Sequence, residues 1–244
     1  MKKILIGVLL LCSVVSGNYF VDGLKAYDKK DYKKASKLWE KSCDNGEISA
    51  CYNLALLYGD GNGVKQDYLK AKKLYKKSCD GGDMFACNNL ARLYNKGNGV
   101  RQDYFKASKL YKKGCDGGEK SACYNLGILY ANANGNGVKQ DYFKAAKLYI
   151  KSCNGGYLDA CYNLALLYAH GNGVKQDYFK AKKLYKKGCD GGYMNACNNL
   201  GFLYAKGNGV RQDERKAKKL YGKACDGGIS VGCKNYRILN EQGY

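Results

Sequence analysis

Paired cysteines are the residues of this sequence whose type and spacing could do chemistry. In the segment KKLYKKSCDGGDMFACNNLARLY, which runs from Lys72 to Tyr94, Cys79 and Cys87 lie eight positions apart on either side of Asp-Gly-Gly. Cysteine pairs bind zinc, exchange thiols and disulfides, or form structural disulfides. Each of these uses requires its own spacing, so the spacing can discriminate among them.

The C-x7-C spacing favours structural disulfides. Zinc sites typically use C-x2-4-C with further ligands, whereas His170 is the only histidine of the chain. Redox-active pairs use C-x-x-C, which the sequence lacks. A cysteine at a helix end and another one turn into the next helix can approach to the Cα distance of about 5.5 Å that a disulfide needs. We therefore predict bridges, and no metal or other cofactor, at Cys43/Cys51, Cys79/Cys87, Cys115/Cys123, Cys153/Cys161, Cys189/Cys197 and Cys225/Cys233.

The cysteine pairs recur with a period that indicates an internal repeat. Successive pairs begin 36, 36, 38, 36 and 36 residues apart, and the longer interval contains the loop ANANGNGV, from Ala131 to Val138. A period of this length is typical of a stacked array of helical units and not of separate domains.

The first helical pattern of each period is represented by DYFKAAKLYIKSC, from Asp141 to Cys153. Its spacing predicts an amphipathic helix with Phe143, Ala146 and Tyr149 on one side and lysines between them. An aspartate precedes this pattern in five periods, where its carboxylate can cap the first turn: Asp67, Asp103, Asp141, Asp177 and Asp213.

The second pattern, ACYNLALLY from Ala50 to Tyr58, predicts another helix with Cys51, Leu54 and Tyr58 in one stripe. The loop GNGV[K/R]QD then returns the chain to the next helix of the first pattern. Together the two patterns predict an all-α solenoid of about six helix hairpins over residues 18–244, with residues 229–240 as a closing helix.

The N-terminus is typical of an export signal. Lys2 and Lys3 precede the apolar run Ile4 to Val15, and Val15-Ser16-Gly17 offers a cleavage site. The run is too short for a transmembrane anchor, which needs about 20 apolar residues. A lipoprotein signal at Cys12 and a buried N-terminal helix are the alternatives. We favour a signal peptide over residues 1–17 and a secreted or periplasmic protein.

Cleavage after residue 17 would remove two lysines and Cys12, so the formal charge would fall from +21 to +19 and twelve of the 13 cysteines would remain. An even number of cysteines suits an exported disulfide protein. The positive charge favours anionic partners such as cell-wall polymers, lipid headgroups, acidic glycans or acidic proteins. The sequence contains no nucleic-acid-binding motif.

One asparagine recurs in every period and is the candidate ligand-binding position. A row of amides, each both donor and acceptor, could hold the backbone of an extended peptide, or each amide could make a structural hydrogen bond within its own hairpin. The preceding position varies, as Tyr52, Asn88, Tyr124, Tyr162 and Asn198, which would suit discrimination among ligands. The row consists of Asn53, Asn89, Asn125, Asn163, Asn199 and Asn235.

The segment ACYNLALLYGDGNGVKQDYLKAKKLYKKSCDGG resembles the SEL-like repeat, a relative of the tetratricopeptide repeat. With a C-x7-C pair in each unit and an export signal, the chain is similar to the Helicobacter cysteine-rich protein family. The resemblance implies a right-handed α/α superhelix with one disulfide per repeat. It also implies binding of penicillin or hydrolysis of beta-lactams, because members have been described in those terms, and host interaction.

The residues themselves do not indicate an enzyme. No serine is followed by lysine three positions later, and neither S-D-N nor K-T-G occurs, although serine beta-lactamases use these motifs. His170, in AHGNGV, could be a general base or a variable loop residue, and we favour the loop residue. We therefore predict a monomeric protein that binds a peptide, a protein or a cell-wall fragment. Beta-lactam hydrolysis and charge-driven adhesion are the alternatives.

Overall fold

The computed structural model describes residues 18–132 and 137–244. The predicted signal peptide, with Cys12, and residues 133–136 of the long ANANGNGV loop lie outside these ranges. The described residues form helices and no strand. They divide into two compact units, one within Met1–Glu119 and the other within Lys120–Tyr244, which are unit 1 and unit 2 below.

Unit 1 contains six helices in its described part, and the main contacts join successive helices from α2 to α6. The helices are α1 over 18–28, α2 Tyr32–Asp44, α3 Ile48–Asp60, α4 Tyr68–Asp80, α5 Met84–Lys96 and α6 Tyr104–Asp116. Such neighbour-to-neighbour packing is the mark of a repeat protein, in which each hairpin buries its apolar surface against the next.

Unit 2 continues the same pattern with seven helices in its described part. They are α7 Lys120–Ala131, α8 Tyr142–Asn154, α9 Leu158–His170, α10 Tyr178–Asp190, α11 Met194–Lys206, α12 Glu214–Asp226 and α13 Ser230–Glu241. We call the odd-numbered helices, which carry the ACYNL pattern from α3 onwards, A-type. The even-numbered helices, which carry the lysine-rich pattern, are B-type.

The predicted aspartate caps are present at the B-type helices. Asp67 accepts hydrogen bonds from the backbone N–H groups of Leu69 and Lys70, both at 2.9 Å. Asp177 accepts one from the N–H of Lys180 at 2.9 Å. These bonds satisfy donors that a helix start leaves open, and the bond from Lys180 holds the pKa of the Asp177 carboxyl below its usual value.

Within each unit, the disulfides join the end of a B-type helix to the first turn of the next A-type helix. Cys115 and Cys123 are disulfide-bonded. The bridges within the two units are Cys43–Cys51, Cys79–Cys87, Cys153–Cys161, Cys189–Cys197 and Cys225–Cys233. The prediction of one disulfide per repeat is therefore confirmed.

The Cα distance of these bridges differs from the expectation. The paired Cα atoms lie 4.4–4.7 Å apart, closer than the expected 5.5 Å, because only a short turn separates the two helices. The second cysteine also approaches the backbone of the first: the Sγ of Cys161 and of Cys197 lie 3.6 and 3.7 Å from the carbonyl oxygens of Cys153 and Cys189. Cys161 and Cys197 are fully buried, whereas Cys233 on α13 is only partly buried.

A buried alanine and a buried aromatic residue four positions later form the core side of each B-type helix. Ala71 and Tyr75 represent the pattern, and Trp39 takes the aromatic position in α2. Small residues on the A-type helices leave room for these rings. At Gly127, for example, an added Cβ would lie 2.6 Å from the Tyr149 ring.

The prediction that Phe143 lies on the buried side of its helix is wrong. Phe143 is 58% exposed, whereas Ala146 and Tyr149 are buried. Residues four and seven positions apart share a helix face, so Phe143 lies with the exposed residues Lys147 and Ile150.

Lysine side chains add a contact between repeats that the sequence did not suggest. The Lys77 Nζ donates to the carbonyl of Cys43 at 2.7 Å, across 34 residues. Three other lysines make the same contact at 2.8–3.0 Å: Lys113 with Cys79, Lys187 with Cys153 and Lys223 with Cys189. Each places a positive charge at the end of the preceding B-type helix, where the helix dipole favours a cation.

Candidate functional site

The predicted asparagine row lies along the A-type helices, with one member on each helix from α3 to α13. All six side chains, Asn53, Asn89, Asn125, Asn163, Asn199 and Asn235, are partly buried. They are therefore neither core residues nor free surface residues.

Tyrosines from the preceding hairpin contact the asparagine amides. The Nδ2 of Asn89 donates to the hydroxyl of Tyr52 on α3 at 3.4 Å, and Asn89 also hydrogen-bonds with Tyr75 on α4. In unit 2, the Nδ2 of Asn199 donates to the hydroxyl of Tyr162 on α9 at 3.3 Å. The asparagine of one repeat is thus positioned by the A-type and B-type helices of the repeat before it.

Two further members of the row follow this scheme. Asn163 hydrogen-bonds with Tyr124 on α7 and Tyr149 on α8. The Nδ2 of Asn235 donates to the Oδ1 of Asn198 at 3.1 Å, because asparagine replaces the tyrosine in that repeat. These structural hydrogen bonds join successive repeats, whereas the sequence suggested bonds within one hairpin. The role of the row in ligand binding stays a prediction.

Burial raises the pKa of the tyrosine partners further above physiological pH, where a tyrosine is already neutral. It raises the pKa of Tyr52 and Tyr162, and it raises the pKa of Tyr124 to about 12. A neutral hydroxyl can both donate and accept a hydrogen bond, so these tyrosines can hold the asparagine amides at any physiological pH.

A depression lies beside the asparagine in each unit. In unit 1 it has a volume of about 210 Å³, and Leu56, Tyr75, Asn89 and Arg92 are among the residues that line it. In unit 2 the volume is about 300 Å³, and the residues at the corresponding positions are Leu166, Tyr185, Asn199 and Phe202. Concave sites with apolar walls and a few polar groups are typical ligand sites. The unit 2 depression fits this description, whereas the unit 1 depression is smaller and more polar.

The sequence analysis did not identify Arg92 and Phe202 as site residues. Both lie three positions after an asparagine of the row, so they are almost one helical turn away on the same A-type helix. The chemistry of this position varies along the repeats, as Leu56, Arg92, Ile128, Leu166, Phe202 and Ile238. This variation at one fixed repeat position, visible in the sequence, could have identified the position as a site for ligand discrimination.

Additional tyrosines extend the aromatic surface in unit 2. Tyr157 and Tyr193 precede α9 and α11, and their ring centroids lie 5.0 Å from those of Tyr124 and Tyr162, respectively. At these distances each pair is in direct contact. The asparagine row of unit 2 is therefore flanked by paired aromatic rings.

The B-type helices present a basic surface with exposed apolar residues. Leu69, Phe105, Phe143 and Phe179 occupy one repeat position and are 52–58% exposed. Lysines lie over the phenylalanine rings, as in the pairs Lys109 with Phe105 and Lys147 with Phe143, both at 4.3 Å from the ring centroid. This surface carries much of the positive charge of the molecule.

His170 is the exposed last residue of α9 and lies at the rim of the unit 2 depression. In residues 18–132 and 137–244, no three histidine, cysteine, aspartate or glutamate side chains come together as a potential metal site. Over the same ranges, no helix is long and apolar enough to cross a membrane.

Successive helix hairpins with a disulfide at each junction define this chain as an α/α repeat protein. The Sel1 repeat profile matches it six times, at residues 17–47, 48–83, 85–119, 120–157, 158–193 and 195–229. The chain therefore belongs to the Sel1 repeat family, and the predicted α/α solenoid class is confirmed.

The similarity to Helicobacter cysteine-rich proteins is also confirmed. HcpC proteins of two Helicobacter pylori strains, both named as candidate beta-lactamases, are 49% identical over 43 residues and 37% identical over 73 residues. These matches cover 18% and 26% of this chain, and only 15% and 25% of the HcpC proteins. The chain thus matches a quarter or less of these curated relatives.

Two solved structures share the fold over most of the chain. The protective antigen c5321 of uropathogenic Escherichia coli has a TM-score of 0.87 and 28% identity, over 94% of this chain and 50% of that one. A Sel1 repeat protein from Oxalobacter formigenes has a TM-score of 0.80 and 27% identity, over 89% of this chain and 86% of that one.

Proposed function

We propose that this chain is an exported binding protein whose A-type helices hold an extended peptide, either from a protein or from the cell wall. The orientation of the asparagine amides supports the proposal most directly. Asn89 and Asn199 are each held by two tyrosines of the preceding hairpin. An amide fixed in this way loses little conformational freedom when it binds a ligand.

The amides retain capacity for a ligand. An asparagine offers two N–H donors and two acceptor lone pairs. Asn199 uses one N–H in the bond to Tyr162, and it also hydrogen-bonds with Tyr185. Its Oδ1 accepts from the Nδ2 of Asn198, so one of its four hydrogen-bonding positions is left for a ligand. A row with one amide per repeat suits a ligand whose backbone presents donors and acceptors at regular intervals, as an extended peptide does.

The disulfide-bonded cysteines indicate an oxidising, extracytoplasmic compartment, because cytosolic thiols are kept reduced. Export through the proposed signal peptide, residues 1–17, would deliver residues 18–244 to the periplasm or the medium. We expect this segment to act as a monomeric solenoid.

Selection from a phage-displayed library of random peptides tests the proposal. The bait is oxidised wild-type protein, and the variants are Asn163→Ala and Asn199→Ala. A peptide binder should enrich a family of sequences, and each variant should lower its affinity for them. Asn154→Ala, at the exposed end of α8, is the control and should bind as the wild type does.

A purely structural row predicts a different result. Tyr162→Phe removes a hydroxyl that accepts from Asn199 but leaves the asparagine in place. If the row only stabilises the fold, Asn199→Ala and Tyr162→Phe should both lower the free energy of unfolding, and neither should change peptide affinity. That outcome would exclude the proposed role of the row.

Beta-lactam hydrolysis is a second candidate, supported by the similarity to HcpC. A chromogenic cephalosporin tests it in a single assay with purified residues 18–244. Sustained turnover of many equivalents that is lost on reduction of the disulfides would support an enzyme. Background turnover would exclude hydrolysis of that substrate.

Adhesion through charge is a third candidate, supported by the basic surface of the B-type helices. Binding to anionic vesicles or acidic glycans should then weaken steeply as the salt concentration rises. It should also persist in Asn163→Ala and Asn199→Ala, which leave the B-type surface intact.

A further inference from the structure

The depressions of unit 1 and unit 2 are equivalent sites in two repeats. Each residue of the second lies 110 positions after its counterpart in the first. The two share a leucine, two tyrosines, an asparagine and a second leucine. In unit 1 these are Leu56, Tyr68, Tyr75, Asn89 and Leu93, and in unit 2 they are Leu166, Tyr178, Tyr185, Asn199 and Leu203.

The two depressions differ at the position three residues after the asparagine, and also where Asp60 of unit 1 corresponds to His170 of unit 2. The residue three positions after the asparagine is Arg92 in unit 1 and Phe202 in unit 2. A guanidinium with five donors thus occupies the place of an uncharged ring. Two further residues line only the unit 1 depression: Lys96 and Asn98.

Arg92 retains most of its donor capacity. Its Nη1 donates to the Oδ1 of Asn89 at 3.4 Å, and it forms no ion pair with any carboxylate of the described residues. Asp60 and Lys96 line the same depression, so its three ionised side chains sum to one positive charge. An exposed arginine with free donors is suited to a carboxylate, which it can bind through two parallel hydrogen bonds.

Phe202 leaves an apolar surface open. Its side chain is 47% exposed, and Leu166, Ala169 and Leu203 line the same depression. Covering these apolar atoms with an apolar ligand group would remove them from water. A charged ligand group would instead lose hydration there without gaining a partner.

We propose that Arg92 and Phe202 determine which side chains of a bound peptide are accepted. The Arg92 depression takes an acidic side chain, and the Phe202 depression takes an aliphatic or aromatic one. This inference rests on the proposed function, because the ligand backbone must lie along the asparagine row to bring its side chains to these sites.

Exchanging the two residues tests the inference. Full-length oxidised wild-type protein, Arg92→Phe and Phe202→Arg are used as baits for a phage-displayed library of random eight-residue peptides. Both residue types occur naturally at this repeat position. Far-UV circular dichroism and a count of free thiols confirm that each variant is folded and oxidised.

The wild type should enrich peptides that contain aspartate or glutamate and peptides that contain large apolar residues. Arg92→Phe should lose the acidic preference and bind the acidic peptides about tenfold or more weakly, the loss expected for a charge-assisted hydrogen bond. Phe202→Arg should lose the apolar preference and gain an acidic one.

A control separates Arg92 from general charge attraction. Lys73→Phe makes the same change of charge on α4, where Lys73 is exposed and does not line the depression. The acidic preference should survive in this variant. Its loss in Lys73→Phe to the same extent as in Arg92→Phe would overturn the inference.

The two proposals fail in different ways. If the wild type enriches no peptide, both the proposed function and this inference are wrong. If the wild type enriches peptides that depend on Asn163 and Asn199, but both exchanges leave the residue preferences unchanged, only the inference fails.

Discussion

The contact between Lys77 and the Cys43 carbonyl shows how single side chains join repeats. The distance between donor and acceptor is 2.7 Å, and the acceptor lies at the end of α2, where carbonyl groups have no helical partner. The backbone N–H of Gly46 also donates to this carbonyl, at 3.0 Å, so the lysine is a second donor to the same oxygen and also interacts favourably with the helix dipole. Some lysines of the lysine-rich pattern therefore join successive repeats, whereas others are simply exposed to solvent.

Replacing this lysine should destabilise the protein more than replacing a neighbouring one. Lys77→Met should lower the free energy of unfolding by about 1 kcal/mol. Lys73→Met on the same helix removes the same charge from an exposed residue and should change it by less than about 0.5 kcal/mol. Chemical denaturation of the oxidised proteins measures both, and equal effects would contradict a specific role for Lys77.

At the scale of the helix, one buried tyrosine recurs in the B-type helices. Tyr75, Tyr111, Tyr149 and Tyr185 are buried, and burial raises the pKa of each hydroxyl well above its usual value. Burial also raises the pKa of Tyr221 to about 12. These rings fill the space between the two helices of a hairpin, where an ionised oxygen would be poorly solvated.

The raised pKa of these buried tyrosines predicts that the free energy of unfolding falls at alkaline pH. Because the folded pKa lies above the unfolded value of about 10, the folded state binds more protons than the unfolded state as the pH rises beyond about 10. The tyrosines should therefore leave stability unchanged up to about pH 9 and lower it between about pH 10 and 12. Urea denaturation at about pH 7, 9 and 10.5 measures the effect.

Tyr111→Phe is the matched variant for this prediction, because it retains the buried ring and removes the ionisable oxygen. The fall in stability between about pH 9 and 10.5 should be smaller in Tyr111→Phe than in the wild type. An identical fall in both proteins would show that this tyrosine does not contribute to it.

Loop geometry between helices depends on glycine at one position in particular. Gly173, after α9, has φ +68°, and an added Cβ would overlap the carbonyl carbon of Tyr142 at the start of α8. Gly192, after α10, has φ +89° with no atom within 4 Å of an added Cβ. Only the first glycine allows a loop to pack closely on the preceding repeat.

The two glycines should therefore respond differently to substitution. Gly192→Ala should cost about 1–2 kcal/mol, the penalty of a left-handed backbone for alanine. Gly173→Ala bears the same penalty and a backbone clash, so its cost should be larger by about 1 kcal/mol or more. Thermal or chemical denaturation compares them, and equal losses would show that the loop moves away at no cost.

At the scale of the whole molecule, stability is distributed along the chain. Each bridge closes a short ring, as Cys79–Cys87 does with a sequence separation of 8. Such a ring contributes roughly 2.5 kcal/mol in the chain-entropy account. Six bridges sum to roughly 15 kcal/mol, which is comparable to the whole net stability of a typical domain.

Reduction of all bridges should consequently unfold the protein, whereas loss of one should act locally. Cys79→Ala combined with Cys87→Ala should cost roughly 2.5 kcal/mol. Hydrogen exchange should accelerate in α4, α5 and their immediate neighbours, because repeats depend mainly on adjacent repeats. Uniform acceleration over all described helices would contradict this local response.

The sequence by itself determined the features that arise from short-range interactions. The period of 36, the two helix patterns, the aspartate caps and the cysteine pairs all involve short segments of the chain that recur in each repeat. Hydrogen bonds of a helix turn, a cap and a short disulfide ring form between neighbours in the chain, so their spacing alone specifies them.

Only the tertiary structure decided which side chains of one repeat contact the next repeat and which remain exposed. It placed Phe143 on the exposed surface, joined Asn199 to Tyr162 across 37 residues and brought Arg92 beside Leu56 in one depression. These arrangements depend on how far each hairpin is rotated and shifted against its neighbour. That stacking is the sum of many side-chain contacts between repeats, and no short stretch of sequence contains it.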